Sequence, residues 1–204
     1  MTDSRQPPTD ATRPESPVGV EGTDHVTLEG TNAADTIEFY RDLLGMPLVL
    51  RQPNLDRPHL THLFFDAGDG RMITFFVNEE RESRDVGDRD PGEVHHLAFR
   101  IDGDRIGEVR EALEAAGYPV SEFDRGVFHS LYTADHNGLG IELVADKFAL
   151  DDARRGQVLA LAQHLREDDG AEFVRSEHVR EAIRQLGLDA EEVEVGDAPT
   201  GRRV

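Results

Sequence analysis

Short runs of apolar and polar residues, punctuated by Gly, Pro and Asp, divide the first three quarters of the chain into strand-length pieces. HVTLEG (25–30) alternates with period two, the pattern of a half-buried strand. MPLVLRQ (46–52), THLFFDAG (61–68) and RMITFFVN (71–78) read as three further strands, the last two joined by a Gly-Asp-Gly turn. Between the first two runs, Ile37, Tyr40 and Leu44 fall on one helical face, with Asn32 as the predicted cap and Gly45 as the stop. The order is βαβββ. The same order recurs: HHLAFRI (95–101) is a strand. Ile106, Val109 and Leu113 form a helical face with Asp104 as predicted cap and Gly117 as stop. PVSEFD (119–124), HSLYTAD (129–135) and GIELVAD (140–146) supply three more strands. Beyond them, Val158, Leu161 and Leu165 share one helical face, and Val179, Ile183 and Leu186 another, with Ser176 as predicted cap and Gly187 as stop.

The two halves align as a repeat. His25 precedes Glu38-Phe39-Tyr40 and Leu44-Gly45; His96 precedes Arg110-Glu111-Ala112 and Ala116-Gly117 at nearly the same spacing. Residues 62–76 set against 130–144 without a gap, so that Thr74 is the counterpart of Glu142. The expected organisation is a disordered arm over 1–20, a first βαβββ module over 21–80, a linker over 81–92 and a second module over 93–147. A helical extension over 148–187 and an acidic, loose tail over 188–204 complete it. The predicted fold class is α+β: two βαβββ modules forming a cupped mixed sheet around a metal site, with C-terminal helices. Paired modules of this kind can close within one chain, so a dimer is not required to build the site; a homo-oligomer stays open.

Composition narrows the function classes. The chain has 204 residues, a net charge of −20 and no Cys. Disulfides, thiolate metal sites and Cys nucleophiles are excluded. The acidic residues are spread along the chain, and a single lysine, Lys147, stands among the arginines. A salt-adapted (halophilic) surface accounts for this, whereas nucleic-acid binding needs a basic footprint. No apolar run approaches a membrane span, and residues 1–19 have no apolar core of a signal peptide. The expected location is cytoplasmic.

The candidate chemistry lies at equivalent positions of the repeat. His25 and His96 open the first strand of each module, and Glu142 lies on the last strand of the second. Two imidazoles and a carboxylate hold a divalent metal on one side and leave its other positions free, as in non-haem Fe(II) oxygenases; Mn(II) accepts the same ligands. Thr74 leaves the fourth repeat position without a ligand. Tyr132, ten residues before Glu142 across a tight turn, can reach the ligand by antiparallel pairing. His95 faces away from His96 if the strand is regular. His59 and His62 have spacing unproductive for ligation on a strand, and His164 and His178 read as solvated.

Paired βαβββ modules with ligands on first and last strands resemble the vicinal-oxygen-chelate superfamily, which includes glyoxalase I, bleomycin-resistance proteins and extradiol dioxygenases. FYRDLLGMPLV and NGLGIEL are typical of it. A narrower similarity is to ring-cleaving dioxygenases acting on hydroquinones. It rests on the His95-His96 pair, on RQPNLDRPHLTHLFFDAGDGRMITFF and on DRGVFHSLYTADHNGLGIE. Those enzymes are usually longer, which makes this chain a compact version. The resemblance implies His25, His96 and Glu142 on Fe(II), with Mn(II) as the alternative. It implies His95 as a second-sphere acid or base, Tyr132 as a hydrogen-bonding or proton-transfer group and Arg125 as an anion-stabilising group. His129, in place of the usual Arg or other polar residue, is a candidate proton shuttle. The implied partners are a small aromatic diol and O2. The rival functions are a glyoxalase-like metal-dependent isomerase or transferase, and a non-enzymatic resistance or sensor protein of the same fold.

Overall fold

Asn32 begins the first helix as its spacing predicts: its Oδ1 accepts from Asp35 N–H at 3.0 Å, satisfying one of the helix's orphan donors. In the computed structural model of the chain, which describes residues 9–85, 87 and 89–193, helix α1 (Ala33–Ile37) runs on as a wider π-helical turn over Glu38–Leu43. Leu44 N–H reaches back five residues to Phe39 O, at 2.9 Å. The extra residue per turn swings Phe39 and Tyr40 together into the core, both fully buried. The regular 3.6-residue face expected from sequence included Tyr40 but not Phe39. Gly45, at φ +78°, closes the element.

The first module forms one four-stranded mixed sheet, order β1-β4-β3-β2, from β1 (His25–Gly30), β2 (Leu48–Pro53), β3 (Thr61–Asp66) and β4 (Met72–Val77). The second repeats it, order β5-β8-β7-β6, from β5 (His96–Arg100), β6 (Ser121–Asp124), β7 (Phe128–Ala134) and β8 (Gly140–Asp146). In each, the first strand runs parallel to the last and, among the described residues, lies at the edge of its sheet. Helix α2 (Ile106–Ala115) is preceded by a 3₁₀ turn over Gly103–Arg105. Its entry is capped by Asp102, whose side chain accepts from Asp104 N–H, and not by Asp104 itself. The capping side chain stands at the head of that 3₁₀ turn, upstream of the first apolar residue.

The helix-bearing faces of both sheets share one core: Phe65 and Phe75 of the first, Leu131, Ile141 and Leu143 of the second, with Phe39, Tyr40 and Leu113. Phe39 meets Tyr118 of the second module edge to face at 4.9 Å between centroids. A buried polar node completes the joint. Asp135 accepts from Tyr40 O–H at 3.1 Å and from the backbone N–H groups of Asn137 and Leu139, both at 2.9 Å. Asn137 in turn accepts from Thr31 N–H, just beyond β1, at 3.0 Å. The C-terminal end of β1 therefore sits at the turn that leads into β8.

Helices α3 (Asp152–Asp168) and α4 (Ser176–Gln185) pack on each other through Val158, Ala162, Val179 and Ala182, with Phe148 beneath them. Arg100 and Arg155 tie α3 to the second module through Asp152 and Asp146. Three sequence expectations change here. The cap of α4 is Arg175, not Ser176. His178 is buried rather than solvated: its Nδ1 accepts from Arg175 N–H at 2.9 Å and its Nε2 lies 3.2 Å from Asp169. The stretch after Leu188 is not loose throughout, because Ala149 N–H bonds Glu191 O and Val193 N–H bonds Lys147 O, both at 2.9 Å. Of the expected arm and tail, residues 1–8 and 194–204 lie outside the described residues. Residues 9–20 form no helix or strand, and Arg13 bonds Val20 O and Glu21 O. Among the described residues no helix is long and apolar enough to cross a membrane.

Candidate metal centre

Strand alternation sends Leu131, Ile141 and Leu143 to the helices and Tyr132 and Glu142 to the opposite face, where His96 joins them from β5. Tyr132 and Glu142 are direct cross-strand partners. The Tyr132 hydroxyl donates to Glu142 Oε1 at 2.6 Å, and His96 Nε2 stands 3.0 Å from Glu142 Oε2. Glu142 is buried, and about a third of the His96 side chain is exposed. Two adjacent ligands of a six-coordinate ion, at bond lengths of about 2.1 Å, would be about 3 Å apart, so this pair fits a shared divalent metal.

His95 precedes β5 and escapes its alternation. Its Nδ1 lies 2.8 Å from His96 Nδ1. Metal binding through His96 Nε2 requires the shared proton to sit on His96 Nδ1 with His95 Nδ1 accepting it, an arrangement this contact permits. Arg125, in the bend between β6 and β7, places its guanidinium 5.3 Å from the Tyr132 ring centroid and 4.7 Å from that of Phe123. Burial raises the Tyr132 phenol above its ordinary range, the bond to Glu142 adds to this, and Arg125 opposes it. Tyr132 is thus a proton donor at neutral pH.

Two expected site residues lie elsewhere. His129 alternates to the helix side, fully buried, with Nε2 2.7 Å from Glu122, which also pairs with Arg110 of α2 at 2.6 Å. Three residues separate it from Tyr132, an odd number, so the strand turns it away from the metal centre. On that side its hydrogen-bond partner is Glu122, a packing contact away from Tyr132 and Glu142. His25 opens β1, its Nδ1 2.6 Å from Asp24. The end of β1 distal to His25 is the one that touches the Asp135–Gly138 turn. Five strand rises, about 17 Å, separate His25 from that end. Among the described residues no three His, Asp or Glu side chains gather as a metal-binding group. One chain therefore brings together His96, Glu142, Tyr132, His95 and Arg125, and leaves His25 apart.

The His25 face has its own character. Thr74, the counterpart of Glu142, is fully buried and donates its hydroxyl to Thr27 at 2.8 Å. Beside it His62 packs against Phe64 (4.1 Å) and Phe76 (4.5 Å), its Nε2 buried without a partner. Burial lowers the His62 imidazole pKa, and the charge of His25 lowers it further. His62, whose spacing from His59 is unproductive for ligation, alternates with Phe64 on β3 and so marks an aromatic-walled face.

Paired βαβββ modules, with a His on the first strand and a Glu on the last of the second, define a metal-chelate class of fold. The profile of the Glyoxalase/Bleomycin resistance protein/Dioxygenase superfamily matches residues 22–143, more than half of the chain, and the chain belongs to that superfamily. Two Bacillus subtilis proteins provisionally named ring-cleaving dioxygenases are similar. MhqE is 30% identical over 105 residues, covering 50% of this chain and 34% of its own. MhqO is 26% identical over 126 residues, covering 60% and 39%. A crystal structure provisionally named a dioxygenase, also from Bacillus subtilis, superposes with a TM-score of 0.55 at 26% identity over 63% of this chain and 41% of that one. The structure of SMU.1112c shares the fold at a TM-score of 0.53 and 23% identity, over 61% of this chain and 98% of that one. The chain thus spans about two fifths or less of the length of these curated relatives.

Proposed function

We propose that the protein is a metal-dependent ring-cleaving dioxygenase acting on a hydroquinone or catechol, with Fe(II) as the metal and Mn(II) as the alternative. The observation that carries this reading is the convergence of His96 Nε2 and Glu142 Oε2 beside the Tyr132 hydroxyl. His25 is the third ligand, contributed by a second copy of the chain. β1 and β5 are edge strands, each opening on a ligand His, so the edge of one copy can lie against the other edge of its mate. The position equivalent to Glu142 in the first module is Thr74, whose hydroxyl is committed to Thr27. That leaves metal positions for substrate and oxygen, and it disfavours a four-ligand isomerase or transferase site.

When bound, the metal supplies electron transfer between a chelated diol and O2. The residues of the chain do the rest. His95 holds the proton on His96 Nδ1 and so fixes the tautomer that coordinates. Tyr132 orients the Glu142 carboxylate and, with its phenol held protonated, can donate to a substrate oxygen. Arg125 offers positive charge to the diolate. Phe123 and Tyr132 supply aromatic surface to the ring on this side, and His62, Phe64 and Phe76 of the second copy supply it on the other. A cytoplasmic, salt-rich setting fits the charge of −20. The test is anaerobic loading with Fe(II) followed by oxygen uptake with a panel of hydroquinones and catechols. Substrate-dependent uptake is expected; iron loading without uptake on any diol would overturn the dioxygenase reading.

A further inference from the structure

The lone lysine of the chain closes a ring of hydrogen bonds around the backbone of Arg125. Gly126 N–H donates to Asp124 Oδ1 at 2.7 Å. Lys147 Nζ donates to Asp124 Oδ2 at 2.9 Å and to Ser176 Oγ at 3.1 Å. Ser176 Oγ–H donates to Gly126 O at 2.7 Å. The bend is pinned on both sides of Arg125, from the end of β8 by Lys147 and from the first turn of α4 by Ser176. It also has no slack: Gly126 adopts φ +80°, and a Cβ there would stand 2.9 Å from Val174 O, in the α3–α4 connection. Lys147 and Asp124 are largely buried, so their charges are weakly screened and each is the other's compensation. Ser176 does not cap its helix; its hydroxyl is spent on the bend.

We infer that Lys147 and Ser176 are positioning residues that hold Arg125 over Tyr132, so that the C-terminal helical hairpin sets the affinity of the site for an anionic aromatic substrate. This rests on the reading of Arg125 as the group that meets the substrate anion. The hairpin lies outside the residues matched by the superfamily profile, 22–143. The reach is short: Ser176 touches Gly126, Gly126 follows Arg125, and Arg125 stands 5.3 Å from the Tyr132 ring.

The test uses the full chain with Ser176→Ala, Ser176→Thr and Lys147→Gln. The first readout needs neither metal nor substrate. The Arg125 guanidinium lies over two aromatic rings, so ring-current shifts of its side-chain protons are the expected NMR signature. Ser176→Ala and Lys147→Gln are expected to move those resonances toward unperturbed values, and Ser176→Thr to restore them. The second readout is anaerobic binding of 4-nitrocatechol to the Mn(II)-loaded protein. It is expected to weaken about tenfold in Ser176→Ala and Lys147→Gln, the loss of roughly one charge-assisted contact, with Mn(II) affinity unchanged and recovery in Ser176→Thr. Unchanged Arg125 resonances in both folded variants, or equal loss of metal and 4-nitrocatechol affinity, would overturn the positioning role. Absence of oxygen uptake by the wild type would instead overturn the dioxygenase reading and leave the NMR result standing.

Discussion

Mixing two inactive variants tests how the metal centre is assembled. In the proposed arrangement each site takes His25 from one copy and His96 with Glu142 from the other. His25→Ala removes a ligand from both sites of its dimer, and Glu142→Gln does the same. In a mixed dimer one site receives intact His25 from the Glu142→Gln chain and intact His96 and Glu142 from the His25→Ala chain. The other site receives both lesions. Random exchange of equal amounts makes half the dimers mixed, and each of these has one good site in two, so about one quarter of wild-type sites return under two-fold symmetry. Within a single chain the same mixture returns nothing, because every chain lacks a ligand. The structure favours the first outcome: the far end of β1, about 17 Å of strand rise from His25, is the one tied by Thr31 to Asn137 beside β8. The assay is exchange under mild denaturant, anaerobic Fe(II) loading, then bound iron per chain and oxygen uptake. Recovery near one quarter in both measures supports the shared site. A mixture no better than its separate components refutes it, as does full iron binding by His25→Ala alone.

Two other outcomes follow from particular contacts. Tyr132→Phe removes the 2.6 Å bond to Glu142 Oε1 and is expected to lower metal affinity or turnover by roughly 10–100-fold, as loss of an outer partner of a ligand does; titration with Mn(II) and oxygen-uptake kinetics measure it. Burial lowers the His136 pKa in the folded chain, with Asp135 and Asp35 partly opposing. Its Nε2 lies 3.2 Å from Thr36 Oγ1 and its Nδ1 is buried without a partner. The unfolded chain takes up that proton first, so stability falls as pH drops below about 6.5 toward the lower folded value, at no more than about 1.4 kcal/mol per pH unit for this group. Urea unfolding from pH 7.5 to 5.5 should show a shallower pH slope in His136→Asn than in the wild type; an unchanged slope assigns the dependence to other groups.

The βαβββ order was legible because its punctuation is local. Asn32 caps, Gly45 and Gly117 take positive φ, and the Gly-Asp-Gly and Asn-Gly turns separate strands whose registers then follow from their lengths. What periodicity missed depends on ladder changes. Phe39 reaches the core only through the π-helical turn, and the capping side chain ahead of α2 is Asp102, at the head of the 3₁₀ turn that precedes the helix. Ser176 and His178 fit the composition of a solvated helix start. Their partners, Gly126 and Asp169, lie 50 and nine residues away in sequence, and no local signal announces them.

The same distinction governs the site. Tyr132 could be placed beside Glu142 because a hairpin couples them, and the structure pairs them directly. His129 could have been turned away by the same count, since three residues from Tyr132 is the opposite face. His95 defeated the count because it stands before the strand begins. His25 is the instructive case: a repeat establishes that His25 and His96 are equivalent, and equivalence says nothing about adjacency. Two modules related by a pseudo-two-fold axis can meet with the starts of their first strands together or apart. Here the shared core of Phe39, Leu113 and Tyr118 and the Asp135 node bind the modules helix side to helix side. The faces that carry His25 and His96 are left on the outer sides of the joint. That packing is set by apolar residues that carry no metal chemistry, so the joint leaves His25 apart, and it is the proposed arrangement of two copies that would complete the ligand set.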